Sequence, residues 1–212
     1  MRSQIMRSLC RARPLSGRFL SAAIAAAVVA TCLSANAQEK AGAVTSVTGE
    51  AFAERSAERR TLEPRAAILI SDRVGTGPAS RVSLLLGRDT TLRLGERGSI
   101  VIDRFLMNAG GEIALESGPM MFDRPSDSPP QRVRIRSSYG LIAVRGTRFF
   151  AGPDHDALGI FVERGEVAVT AGGRTVRVGA GLGTTIPSPG APPEPVKQWK
   201  QPRIMKLFGS LR

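Results

Sequence analysis

The sequence predicts an all-β domain, solenoid- or sandwich-like, over residues 38–186. Three observations carry the prediction: apolar residues alternate with polar ones in short runs, Gly-containing turns separate most of those runs, and no stretch between Gly42 and Ile186 reads as a helix. Period-two apolar runs bounded by Gly, Pro, Asn or Asp are half-buried β-strands.

Taken in order, Gly42–Ala53 reads as the first strand, with Val44, Val47 and Phe52 directed to a core. A charged turn, Glu54–Arg60, leads to a short apolar run ending at Ile70. Ser71–Ile186 is the densest region, with alternation in Val82–Leu86, Thr90–Leu94, Ile100–Phe105, Glu112–Glu116, Val133–Phe150, Gly159–Val169 and Thr175–Val178. Ala171-Gly172-Gly173-Arg174 supplies two adjacent residues that tolerate positive φ, as a tight I′ hairpin turn requires. Gly95–Gly98, Asn108–Gly111 and Arg164–Glu166 make looser connections, and Gly179–Gly183 turns the chain before its last strand. No strand–loop–helix unit surrounds those last glycines, so they do not form a phosphate cradle. Five prolines between residues 187 and 195 make an extended linker, and residues 196–212 form a basic tail carrying Trp199, Ile204, Leu207 and Phe208. Such a tail either lies on an anionic membrane or partner, or packs against an open edge of the β-domain.

Residues 1–37 read as a secretion signal. Arg2, Arg7, Arg11, Arg13 and Arg18 precede the apolar stretch Phe19–Leu33, and Ala35-Asn36-Ala37 fits a small-x-small cleavage site. Cleavage after Ala37 and a periplasmic location are expected. The alternative is an inner-membrane anchor formed by residues 19–33, although a stretch of that length spans about 22 Å of a hydrocarbon core of roughly 30 Å. Cys10 and Cys32 both lie in the leader, so the cleaved chain has no thiol for a disulfide, a nucleophile or a metal. Removing the five leader arginines from 30 basic residues leaves 25 against 18 acidic ones, a net charge of +7. That charge suits an envelope protein or an anionic envelope polymer such as peptidoglycan. One Trp and one Tyr, with no basic–aromatic interleaving, argue against nucleic acid.

Few side chains suggest chemistry. Arg132, Arg134 and Arg136 alternate with Val133 and Ile135, which places three guanidinium groups on one face of a strand as a candidate anion-binding stripe. Arg145 and Arg148 flank Gly146-Thr147 and offer further carboxylate or phosphate forks, while Gly146 permits close backbone approach and Thr147 satisfies a turn hydrogen bond. Asp154-His155-Asp156 contains the single histidine of the chain and reads as a solvated polar turn rather than a metal or acid–base site. An enzyme is not expected, nor are a cofactor or a metal.

Two peptides go beyond generic β-sequence. Asp72-Arg73-Val74-Gly75-Thr76-Gly77-Pro78-Ala79-Ser80-Arg81-Val82 precedes Leu84 and Leu86, and Val144-Arg145-Gly146-Thr147-Arg148-Phe149-Phe150 precedes Phe161-Val162-Glu163-Arg164-Gly165-Glu166-Val167-Ala168-Val169. Together they resemble the FecR domain, with Thr76, Gly77, Gly146, Thr147 and Gly165 at the family's motif positions. The resemblance implies a periplasmic β-rich module that, in the best-known members, senses an outer-membrane receptor and signals to a sigma factor. Only 18 residues precede the apolar stretch here, so the expectation is a free-standing exported form without the anti-sigma segment.

Overall fold

A computed structural model describes residues 39–106, 110–129 and 132–211. The leader, its two cysteines and its cleavage site lie outside the described residues. Strands alternate between two nine-stranded sheets, as a sandwich requires. Sheet I holds β1 (Lys40–Thr48), β4 (Ala67–Leu69), β6 (Arg81–Leu86), β7 (Thr90–Leu94), β10 (Met120–Asp123), β13 (Arg148–Asp154), β14 (Ala157–Arg164), β17 (Leu182–Ile186) and β18 (Lys197–Gln198). Sheet II holds β2 (Ala51–Arg55), β3 (Glu58–Thr61), β5 (Arg73–Thr76), β8 (Ser99–Leu106), β9 (Gly110–Ser117), β11 (Val133–Ser137), β12 (Leu141–Val144), β15 (Glu166–Ala171) and β16 (Arg174–Gly179). One helix, α1 (Gln201–Gly209), follows.

The spatial order is β18-β17-β14-β13-β10-β7-β6-β1-β4 in one layer and β16-β15-β12-β11-β9-β8-β5-β2-β3 in the other. The chain lays one or two strands in a layer, crosses to the other, and advances along the sandwich, so a solenoid-like progression builds a two-layer product. Strands β9 and β11 pair in parallel, Val133 opposite Gly111 and Ile135 opposite Ile113. Their connection runs through β10 in the opposite layer, the crossover that parallel neighbours need.

Alternation builds the core between the layers. Val82, Leu84 and Leu86 of β6 point inward with Leu92 and Leu94 of β7, facing Ile100, Ile102, Ile113, Ile135 and Val169 of sheet II. Phe122 and Phe149 meet there, ring centroids 5.5 Å apart. At Ala171–Arg174 the expected tight turn is present, with Gly172 and Gly173 at φ +50° and +75°.

Several expected strands are divided. Gly42–Ala53 breaks at Gly49, whose φ is +74° and whose α-carbon lies against Ser80, sending β1 and β2 into different sheets. Val133–Phe150 becomes β11, β12 and the start of β13, and Gly159–Val169 divides at Gly165 (φ +85°). In each case a long apolar run hides a crossing between layers, because both layers want the same alternation.

Leu84→Ala should lower stability by about 2–5 kcal/mol, the range for a leucine deleted from a rigid core. The urea midpoint should fall with little change in the slope of the transition.

Candidate functional site

Asp72 opens the first motif as a fully buried carboxylate. It bonds Arg60, lies 3.7 Å from Arg55, and accepts the Leu69 N–H at 2.9 Å. Its own carbonyl accepts from Ile102 N–H at 3.0 Å. One side chain thus ties β2, β3 and the end of β4 to the entry of β5. Thr76 does the same at the other end of β5: its hydroxyl donates to the Gly95 carbonyl at 2.5 Å and accepts from Gly98 N–H at 2.9 Å. The Gly77 N–H donates to the Glu50 carbonyl at 3.0 Å. Thr76 and Gly77 are therefore joints, turned inward.

The second motif is equally internal. Gly146 has φ +60°, and a Cβ on Gly165 would sit 2.6 Å from Thr147 Cγ2 and 2.9 Å from the Gly146 carbonyl oxygen. The two glycines allow two turns to touch. Thr147 is fully buried, but its hydroxyl has no partner among the described residues, contrary to the expected turn hydrogen bond. The main chain makes the connection, since the Thr147 carbonyl accepts from Arg124 N–H at 3.0 Å. Buried Arg124 donates in turn to Asp89 (2.6 Å), the Thr90 hydroxyl (2.8 Å) and the Pro129 carbonyl (2.9 Å).

The five candidate arginines fall on two faces. Arg134 and Arg136 project from β11 onto the outer face of sheet II, with exposed Arg132 just before that strand and exposed Arg145 just after β12. The Val133↔Val144 register places Arg132 and Arg145 side by side in sequence terms. Arg136 is neutralised by Asp103 at 2.6 Å and by Glu112. Among the described residues Arg132, Arg134 and Arg145 have no ion-pair partner, and Arg132, Arg134 and Arg104 border a depression of about 190 Å³. Arg148 belongs to sheet I, bound to Asp123 (3.3 Å) and Glu163 (2.8 Å), so it does not join the stripe. The same outer face of sheet II carries a two-pronged pair, in which Arg73 donates to Glu116 at 2.8 and 2.9 Å and Ser99 adds a third bond at 2.7 Å. These bonds, Arg73 first, hold the Glu116 carboxyl below the usual carboxylate range.

The tail takes the second of its two expected placements, packing on the β-domain, but it covers the outer face of sheet I as well as an edge. Met121, Phe150 and Phe161 point away from the main core, onto the outer face of sheet I, and are nevertheless buried. Trp199 and the α1 residues Ile204, Leu207 and Phe208 cover them. Trp199 stacks on Phe161 at 5.7 Å, and Phe208 meets Phe150 at 6.1 Å and Phe161 edge-on at 6.0 Å. The indole lies over Gly159 and Gly183; a Cβ on Gly183 would strike the ring, and one on Gly159 would press on it at 3.2 Å. Arg203 sits 3.6 Å above that ring and donates to Asp154 at 2.9 Å and to the Thr185 hydroxyl at 2.9 Å. Asp154 is thus a buried anchor, unlike the rest of the expected polar turn, in which His155 (φ +60°) and Asp156 are exposed. The unbroken apolar runs Phe149-Phe150-Ala151 and Ile160-Phe161-Val162 signal a sheet covered on both faces.

Among the described residues no cluster of three His, Cys, Asp or Glu side chains is placed to hold a metal ion, and no helix is long and apolar enough to cross a membrane. Residues 72–168 match the model of the family described as FecR protein. Two crystal structures, each of a candidate anti-sigma factor from Parabacteroides distasonis, at 1.65 and 2.50 Å resolution, share the fold at a TM-score of 0.53 and 12% identity. The match covers 64% of this chain and 64% and 63% of theirs, so the chain spans less than two thirds of their length. No curated protein matches the sequence.

Two expectations follow. Gly165→Ala should destabilise by about 1–3 kcal/mol through strained φ and collision with Thr147, whereas Thr147→Val, which removes an unpartnered hydroxyl at constant shape, should be neutral or stabilising; thermal unfolding compares them. A carboxyl whose pKa is depressed on folding stabilises above its unfolded value and loses that contribution as pH falls through the folded value. Glu116→Gln should therefore lower stability slightly at neutral pH and leave it unchanged in strong acid, as pH-dependent denaturation measures.

Proposed function

We propose that this chain, whose residues 72–168 match the FecR protein family model, works as a non-enzymatic protein-interaction or sensing module of the bacterial cell envelope, exported to the periplasm with its leader cleaved after Ala37. The observation that carries the reading is where the motif side chains go. Asp72, Thr76 and Thr147 are buried: the first two hold turns together by side-chain hydrogen bonds, and the Thr147 methyl packs against Gly165 between two turns. What the domain offers to its surroundings is its sheet faces, edges and loops, and these are means of contact. Three of the four edge strands are kept from indiscriminate pairing: β3 carries Glu58, Arg59 and Arg60, and β4 and β18 are three and two residues long. The fold shared with candidate anti-sigma factors agrees with a role in signalling through protein contacts.

A second reading has its own observation. Arg132, Arg134 and Arg145 stand on one open face without acidic partners among the described residues, and such a face suits peptidoglycan or another anionic envelope polymer. Exposed charges act over roughly 8–10 Å at physiological ionic strength, so that binding would be strongly salt-sensitive.

In-cell crosslinking of the tagged protein, followed by identification of what copurifies from the envelope, tests the two readings together. The sensing reading expects a defined protein partner that survives high salt and is lost when surface loops within 71–186 are altered. Recovery only of glycan, abolished by salt or by Arg132→Ala with Arg134→Ala and Arg136→Ala, would replace it with polymer binding.

A further inference from the structure

The C-terminal segment, residues 187–211, packs closely on sheet I. It leaves β17 at Pro187, and the Glu194 N–H donates to the Thr185 carbonyl at 2.9 Å while the Thr184 hydroxyl donates to the Glu194 carbonyl at 2.7 Å. Lys197 and Gln198 then pair with Gly183 and Leu182, and α1 lies over β10, β13 and β14. The three strands beneath the helix lie within the FecR match, and the segment that covers them lies beyond it.

We propose that the outer face of sheet I across β10, β13, β14 and β17 is a docking surface for a segment of a partner protein, held closed in this structure by the chain's own C-terminal strap. The proposal rests on the reading that this protein works through protein contacts.

The strap itself shows what the face recognises. Gly159 and Gly183 leave a flat slot that accepts a planar ring, and at Gly183 a side chain would occupy the ring's place. Beside the slot, the buried Asp154 carboxylate and the Thr185 hydroxyl receive a guanidinium through two different nitrogens, an arrangement that an ammonium point charge fits less well. The expected partner segment therefore presents an aromatic ring followed four residues later by an arginine, as Trp199 and Arg203 do, with apolar residues continuing on the same helical face.

The cover is also made to be displaced. Its strand pairing spans two residues. Helix α1 has no side-chain N-cap bond and no acidic residue in its first turn. The Trp199 indole N–H is buried without a partner among the described residues. Each feature leaves the strap less stable than a fully satisfied ligand on the same face. The proline linker keeps a released strap close by, so that reclosing stays intramolecular and competes with the partner.

The test uses the purified protein and a fluorescent synthetic peptide of residues 196–212 as probe. An opened form carries Trp199→Ala with Arg203→Ala. A locked form carries Leu182→Cys with Gln198→Cys, which are opposite each other in the β17–β18 register. The opened form should bind the peptide saturably and about ten-fold or more tightly than wild type, since apparent affinity scales with the open fraction. The oxidised locked form should bind less than wild type and recover on reduction, and a peptide with Arg203→Ala should lose binding. An opened form that keeps its native circular dichroism yet binds no peptide would overturn the proposal, and so would equal binding by all three forms. If the double substitution disrupts folding, Trp199→Ala alone carries the same comparison. Concentration-dependent dimers of the wild-type protein, built by exchanged straps, would assign the face to a second copy and overturn the assignment to a different partner. Failure here with a protein partner still recovered by crosslinking would leave the sensing reading standing.

Discussion

A chain that crosses repeatedly between two layers must satisfy its backbone at every crossing, and this structure depends on how that is done. Within a sheet the ladder pairs each N–H and C=O; at the ends of strands the ladder stops, and a buried unpaired group costs about as much as a lost hydrogen bond. Asp72, Thr76 and Arg124 answer that requirement. Each is buried, and each gathers main-chain or side-chain groups from segments far apart in sequence. Gly146 and Gly165 answer it differently, by letting two turns approach so closely that the Thr147 methyl fills the gap. The motif positions Thr76, Gly77, Gly146, Thr147 and Gly165 are thus joints of a two-layer winding.

The division between legible and illegible features follows from the same winding. Alternation in β6, β7, β11, β12, β15 and β16 was readable because each strand buries one face. The all-β class and the glycine turn at Ala171–Arg174 follow from local chemistry. Which strand enters which layer does not, since inward-facing residues of both sheets have the same character; hence Gly42–Ala53 and Val133–Phe150 each read as one run. Strand β10 escaped the pattern for another reason. Met120 and Phe122 are buried between the layers and Met121 under α1, so no alternation remains. The role of Asp154 was illegible because its partner, Arg203, lies 49 residues away.

The two outer faces differ in kind. Sheet II presents charge: Arg73 with Glu116, Arg136 with Asp103 and Glu112, and the unneutralised Arg132, Arg134 and Arg145. Exposed pairs of this sort add little stability, typically about 0–1 kcal/mol in solvent, and they set the electrostatic pattern that an approaching partner meets. Sheet I presents apolar surface, and the chain conceals it beneath its own tail. Met205, 68% exposed, is the large apolar side chain left on the outside of that cover. A protein that works by contact would use the first face to orient an encounter and the second to make it specific.

A docking face beneath the strap requires the strap to open independently of the sandwich. Native-state hydrogen exchange of the intact protein, read residue by residue, asks this directly. Independent opening predicts that amides of Ile204–Phe208 exchange through local release, far faster than those of Phe149–Ala151 and Ile160–Val162, which should wait for global unfolding. Equal protection of the helix and the central strands would show the tail to be part of the cooperative core and contradict the account.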